Sequence, residues 1–157
     1  MKPSLPVTLI LSLALVTCAS HPFPEGAVLI RLGTLQYGVG FEPDEVHVPF
    51  VDTVRIVFRN DVDPSWQMAH SVAIATPGRE KELVASLRAM HVGHHEVHEA
   101  LRGSPTILAM TDSLEPGASE TIEFHPPGPG TYEYICLVPG HADRMRMTGR
   151  LVVEKRD

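Results

Sequence analysis

Gly130-Thr-Tyr-Glu-Tyr-Ile-Cys136-Leu-Val-Pro-Gly-His141-Ala-Asp-Arg-Met145-Arg-Met147 begins as an aromatic, alternating strand and ends in a loop that carries a thiol, an imidazole and two thioethers. The strand half argues for a β protein, since aromatic and β-branched residues in alternation suit a half-buried sheet. The loop half argues for a metal. Thiolate and thioether are soft ligands that favour Cu(I), imidazole serves Cu(II) as well, and two His with one Cys and a weak Met make a trigonal electron-transfer site. One His is missing from the loop. His70, in Met68-Ala-His-Ser-Val-Ala-Ile74, opens an apolar run far upstream and is the candidate for it.

Outward from that stretch, further short strands are expected at Ala27–Ile30, Glu45–Val48, Val54–Phe58, Ser71–Ala75, Thr106–Ala109, Thr121–Phe124 and Arg150–Glu154. Glu42-Pro-Asp44, Glu115-Pro-Gly117 and Pro126-Pro-Gly-Pro-Gly130 separate them as turns, because proline fixes φ and removes a donor while glycine supplies positive φ. Many short strands punctuated in this way imply a β-sandwich. Between Thr76 and Pro105, the stretch Arg79–Met90 has apolar residues at helical spacing. The expected fold is therefore all-β, with one short helix in a long inter-strand connection.

The chain has 157 residues, 43% hydrophobic and 20% charged, enough for one domain with a real core. Its formal charge is −6, and an acidic chain argues against nucleic acid as a partner. Lys2 followed by the apolar run Val7–Val16 reads as an export signal, too short to span a bilayer. Residues 1–20 are thus expected to be an export or lipoprotein signal, 21–26 a short linker, and 21–157 a single domain outside the cytoplasm, periplasmic or otherwise extracytoplasmic. Leu15-Val-Thr-Cys18 leaves open whether Cys18 carries a lipid anchor or the chain is simply cleaved after Ala19 or Ser20. In either case Cys136 is then the sole thiol of an exported domain, with no disulfide partner. Metal ligation would hold and protect it.

The stretch Gly130–His141, the Glu42-Pro-Asp-Glu-Val-His-Val-Pro49 segment, the approach from Asn60 to His70 and the Leu114-Glu-Pro-Gly117 turn together resemble the cupredoxins, the type 1 blue copper family of azurin, rusticyanin and plastocyanin. The resemblance covers roughly Phe41 to Glu154. It implies a Greek-key β-sandwich or barrel, one type 1 copper, and His70, Cys136 and His141 as equatorial ligands. The axial ligand is left between two methionines. Counted forward from His141, azurin-like spacing selects Met145; counted back from the last strand, the family's Met-x-Gly selects Met147 in Met147-Thr-Gly149. Strand register is stricter than loop length, which favours Met147. Parity puts both on the Leu151 and Val153 face and cannot decide. Ser71 stands where the resemblance places a residue that affects hydrogen bonding to the Cys sulfur. Leu137, Val138, Pro139 and Ala142 are expected to exclude water and to form an apolar docking surface beside His141.

His91-Val-Gly-His94-His95-Glu-Val-His98 packs four imidazoles into eight residues. Helical spacing pairs His91 with His95 and His94 with His98, a candidate second metal site. Gly93 weakens a helix there, and an exposed polar loop is the plainer reading.

Catalysis is not expected: Gly-x-Ser-x-Gly and a phosphate-binding glycine loop are both absent. The resemblance implies an electron carrier that works between larger redox proteins such as a cytochrome, oxidase or reductase, touching membrane only through a lipid anchor on Cys18. The alternative is a non-redox copper carrier or copper-resistance protein that uses the same scaffold plus the His91–His98 cluster.

Overall fold

A computed structural model describes residues 26–155. The expected signal segment, Cys18, most of the linker and His21 lie outside the described residues. Two sheets face each other. The first has strand order β2-β1-β4-β7, built from β1 (Ala27–Thr34), β2 (Phe41–Glu42), β4 (Thr53–Arg59) and β7 (Ser119–Phe124). The second has order β3-β9-β8-β5-β6, from β3 (Glu45–Pro49), β5 (Ala73–Ala75), β6 (Ile107–Met110), β8 (Gly130–Ile135) and β9 (Thr148–Glu154). β1 runs parallel to β4 and β3 parallel to β9, and the other pairs are antiparallel.

Alternation builds the core. On β4, Val54, Ile56 and Phe58 are buried while Arg55, Val57 and Arg59 face outward to varying degrees. They meet Tyr132, Tyr134, Leu151 and Val153 of the opposite sheet in one cluster. Each such side chain contributes about 1.5–3 kcal/mol by leaving water.

Every expected strand is present, and β2 is a further two-residue strand just before the Pro43 turn. The helix content differs from expectation. α1 (Glu80–Ala89) occupies the expected helical stretch, but a second helix, α2 (His94–Leu101), follows it. Gly93 does not weaken α2, because it stands before it, in extended conformation at the N-cap, where glycine is tolerated. Leu83 and Leu87 of α1 and Val97 and Leu101 of α2 pack with Ala73, Ala75, Ile135 and Leu137. The helices therefore cover the outer face of the second sheet, which explains why β5 is buried on every residue. Among the described residues no helix is long and apolar enough to cross a membrane.

Candidate metal centre

One end of the sandwich, where β1, β4 and β8 finish, gathers the loops that carry His70, Cys136 and His141. His70 lies between β4 and β5, where its backbone exchanges two hydrogen bonds with Leu114, of 3.0 and 2.8 Å. Asn60 holds this crossing in place. It is fully buried just beyond β4; its side-chain amide donates to the carbonyls of Met68 and Leu114, both at 2.9 Å, and its oxygen accepts from the Thr34 hydroxyl and the Val62 amide. Sequence reading gave Asn60 no role of its own; a buried amide at the end of an apolar strand was the available signal.

Cys136 directly follows β8, and its amide donates to the Met147 carbonyl at 3.1 Å, extending the β8–β9 ladder by one step. His141 closes a turn by donating its amide to the Val138 carbonyl, with Gly140 at φ 86°. The Met147 amide in turn donates to the His141 carbonyl at 2.9 Å. Both sides of the loop are thus tied to the strand ends.

The three side chains converge. Cys136 Sγ lies 3.8 Å from His70 Nδ1 and 3.5 Å from His141 Nδ1, and the two nitrogens are 3.2 Å apart. A point equidistant from these atoms is about 2.0 Å from each, and bonds from a metal to nitrogen or thiolate sulfur are roughly 2.0–2.3 Å. Donor chemistry and spacing both fit one ion. Among the described residues this is the one group of three His, Cys, Asp or Glu side chains so arranged. His70 and Cys136 have no solvent exposure and His141 retains 7%.

Burial sets the charges. The Cys136 thiol is pushed up to about 11 by desolvation, against the pull of the Ser71 and Val138 backbone N–H groups and the Ser71 hydroxyl. His70 is pushed down to about 4, by burial and then by the neighbouring His141, and His141 is lowered by burial. Metal-free, the pocket holds a neutral thiol and neutral imidazoles. A cation at the centre inverts that preference, since it stabilises thiolate and imidazole lone pairs alike. Ser71 acts where expected: besides facing the sulfur, its hydroxyl accepts from the Leu137 amide at 3.1 Å.

Met147 is fully buried in the main core with Cys136, whereas Met145 is 52% exposed. The alternation that made them equivalent is broken between them, because Arg146 adopts a left-handed φ of 56°. Gly149 is required for packing: a Cβ there would stand 2.1 Å from Tyr134 Cε2. That gives the Met-x-Gly pattern a local cause.

Two expectations need correction. Of the four residues expected to form an apolar docking surface, Leu137 and Ala142 are buried against the helices that cover the outer sheet face, while Val138 and Pro139 remain partly exposed. The four clustered imidazoles also do not converge on a shared point. His91 Nδ1 bonds the Ala89 carbonyl, His94 Nδ1 pairs with the Ser113 hydroxyl, and His98 is buried with Nδ1 on the His94 carbonyl.

No family model matches the chain. Auracyanin-A of Chloroflexus aurantiacus is 30% identical over 131 residues, covering 82% of this chain and 76% of the relative. The chain is a cupredoxin, a member of the blue copper family. Auracyanin-B of the same organism is 50% identical over a shorter stretch of 38 residues, which spans 16% of that relative. The solved auracyanin of Roseiflexus castenholzii superposes with a TM-score of 0.61 at 27% identity, covering 82% of this cupredoxin and 99% of that chain. The structure of auracyanin A, itself described as a "blue" copper protein, gives 0.61 at 26% identity, with 82% and 100% covered. The cofactor of this cupredoxin is one type 1 copper.

Proposed function

We propose that this cupredoxin is an exported, single-domain electron shuttle in which His70, Cys136 and His141 hold the copper equatorially and Met147 stands on its axis. Bound copper supplies a one-electron Cu(II)/Cu(I) couple. The observation that carries this reading is the convergence of the three donor atoms, within 4.8 Å of one another, in a site with almost no solvent exposure. Such a site leaves a small substrate no approach, so the reading is a carrier and not an enzyme. The chain's own part is rigidity. Asn60 fixes the His70 loop, the Cys136–Met147 and Met147–His141 backbone bonds fix the other, and little ligand movement is then needed when the charge changes. His141, the one equatorial candidate with residual exposure, is the natural edge for a redox partner. Burial supports Met147 over Met145 as the axial ligand. Lys2 followed by the apolar run Val7–Val16 supports export, and partners are sought among extracytoplasmic redox proteins.

Cys136→Ser in the copper-loaded protein is expected to remove the sulfur-to-copper charge-transfer colour and leave the far-ultraviolet circular dichroism of the sheets intact. Colour that survives rejects the ligand assignment. In the same preparation Met147→Leu should alter the electron paramagnetic resonance spectrum and the reduction potential, and Met145→Leu should alter neither. The reverse outcome moves the axial role to Met145.

A further inference from the structure

Arg144, Met145 and Arg146 stand exposed on the loop between His141 and Met147. The segment is braced: the amides of Arg144 and Met145 both donate to the Gly140 carbonyl, at 3.1 and 3.3 Å. Six of the nine arginines among the described residues sit in ion pairs, namely Arg55, Arg59, Arg79, Arg88, Arg102 and Arg150. Of the remaining three, two are on this loop. The one carboxylate within the loop, Asp143, is engaged by Arg88 at 3.3 Å. Two guanidiniums without an ion pair among the described residues, flanking an exposed thioether, therefore mark the metal end of a chain whose formal charge is −6. Ionic screening acts over about 10 Å at 0.1 M salt, so a partner in contact with the loop responds to these charges more than to the distant net charge.

We propose that Arg144, Met145 and Arg146 form the docking surface for a redox partner whose own face presents carboxylates around an apolar centre. The charges orient the acidic protein so that its metal end leads, and Met145 supplies the apolar contact. The buried Leu137 and Ala142 cannot do so. This rests on the electron-shuttle reading above.

The test uses small ions in place of a partner. In stopped flow, the Cu(I) protein gives one electron to hexacyanoferrate(III), forming the Cu(II) protein and hexacyanoferrate(II); tris(phenanthroline)cobalt(III) is the cationic counterpart. The wild-type rate with the anion should fall as ionic strength rises, opposite to what a net negative protein predicts. R144E/R146E should lower that rate about tenfold at low salt and reverse its salt slope, within the range of electrostatic steering. Arg31→Glu with Lys81→Glu makes the same net charge change elsewhere and should do neither. Independently of electron transfer, hexacyanochromate(III), an inert paramagnetic anion, should broaden the amide resonances of 143–147 in the Cu(I) protein. A wild-type rate that climbs with salt for the anion, or equal effects from the two double variants, overturns the docking surface and leaves the shuttle intact. A protein that neither ion oxidises overturns the shuttle itself.

Discussion

His70 and His141 lie 71 residues apart and bring their Nδ1 atoms to 3.2 Å, whereas His94 and His98 lie on one helix and turn their Nδ1 atoms to other partners. The difference is backbone satisfaction. In α2 the nearest acceptor to His98 is the carbonyl one turn back, so the helix absorbs the imidazole locally. At the metal end the loops spend their backbone groups on one another and on Asn60, which leaves the Nδ1 atoms of His70 and His141 facing each other and the Cys136 sulfur. Nε2 of both His70 and His98 is buried without a hydrogen-bond partner, so it is the Nδ1 atoms that separate the two regions. Density of histidine along the chain is thus a poor guide to ligation; what matters is whether the donor atoms meet at one point.

The sharpest way to break this contrast is to compare copper affinity in His70→Ala and His94→Ala. The first should weaken binding at least 100-fold and the second should leave affinity and stoichiometry unchanged. Equal losses, or a second tightly held copper that disappears with His94, would restore the clustered histidines as a metal site.

Acid titration comes next in size. His70 falls from an ordinary 6.5 to about 4 in the folded, metal-free protein, so the fold favours the neutral ring. Stability from this source is complete above about pH 6.5, declines as pH falls, and is lost below about pH 4, amounting to about 3 kcal/mol. Copper holds the same nitrogen against protons, so the loaded protein should unfold at distinctly lower pH in denaturation monitored by circular dichroism. Coincident acid midpoints for loaded and metal-free protein would contradict this.

Asn60→Ala should have a smaller effect, about 2–3 kcal/mol in urea denaturation, because the Met68 carbonyl and the Val62 amide lose their Asn60 partner and the Leu114 carbonyl keeps only the His70 amide. It should also broaden the copper spectrum by loosening the His70 loop. A loss under 0.5 kcal/mol with an unchanged spectrum would mean that the loop is fixed by other contacts.

Much of this was readable from the chain. The Cys136-to-His141 spacing, the strand positions and the first helix all depend on local rules: alternation, turn residues, and donor chemistry within a few positions. α2 was not readable as a helix because Gly93 looked like an interior residue when it is a cap. The direction of Leu137 and Ala142 was not readable either, since it depends on helices packed against the outer sheet face from 35 or more residues away in sequence. Arg146 separates the two methionines by a backbone conformation that a non-glycine residue seldom adopts, and no side-chain pattern announces it.

By itself, then, the sequence determined which atoms this cupredoxin could offer a metal and which strands would present them, because ligand softness and side-chain alternation are properties of residues and their neighbours. Tertiary structure decided which of the eight described histidines come together and which methionine turns inward. It also left Arg144 and Arg146 without carboxylate partners among the described residues. Those outcomes depend on distances between segments far apart in the chain, which follow only once the two sheets and their helical cover are packed together.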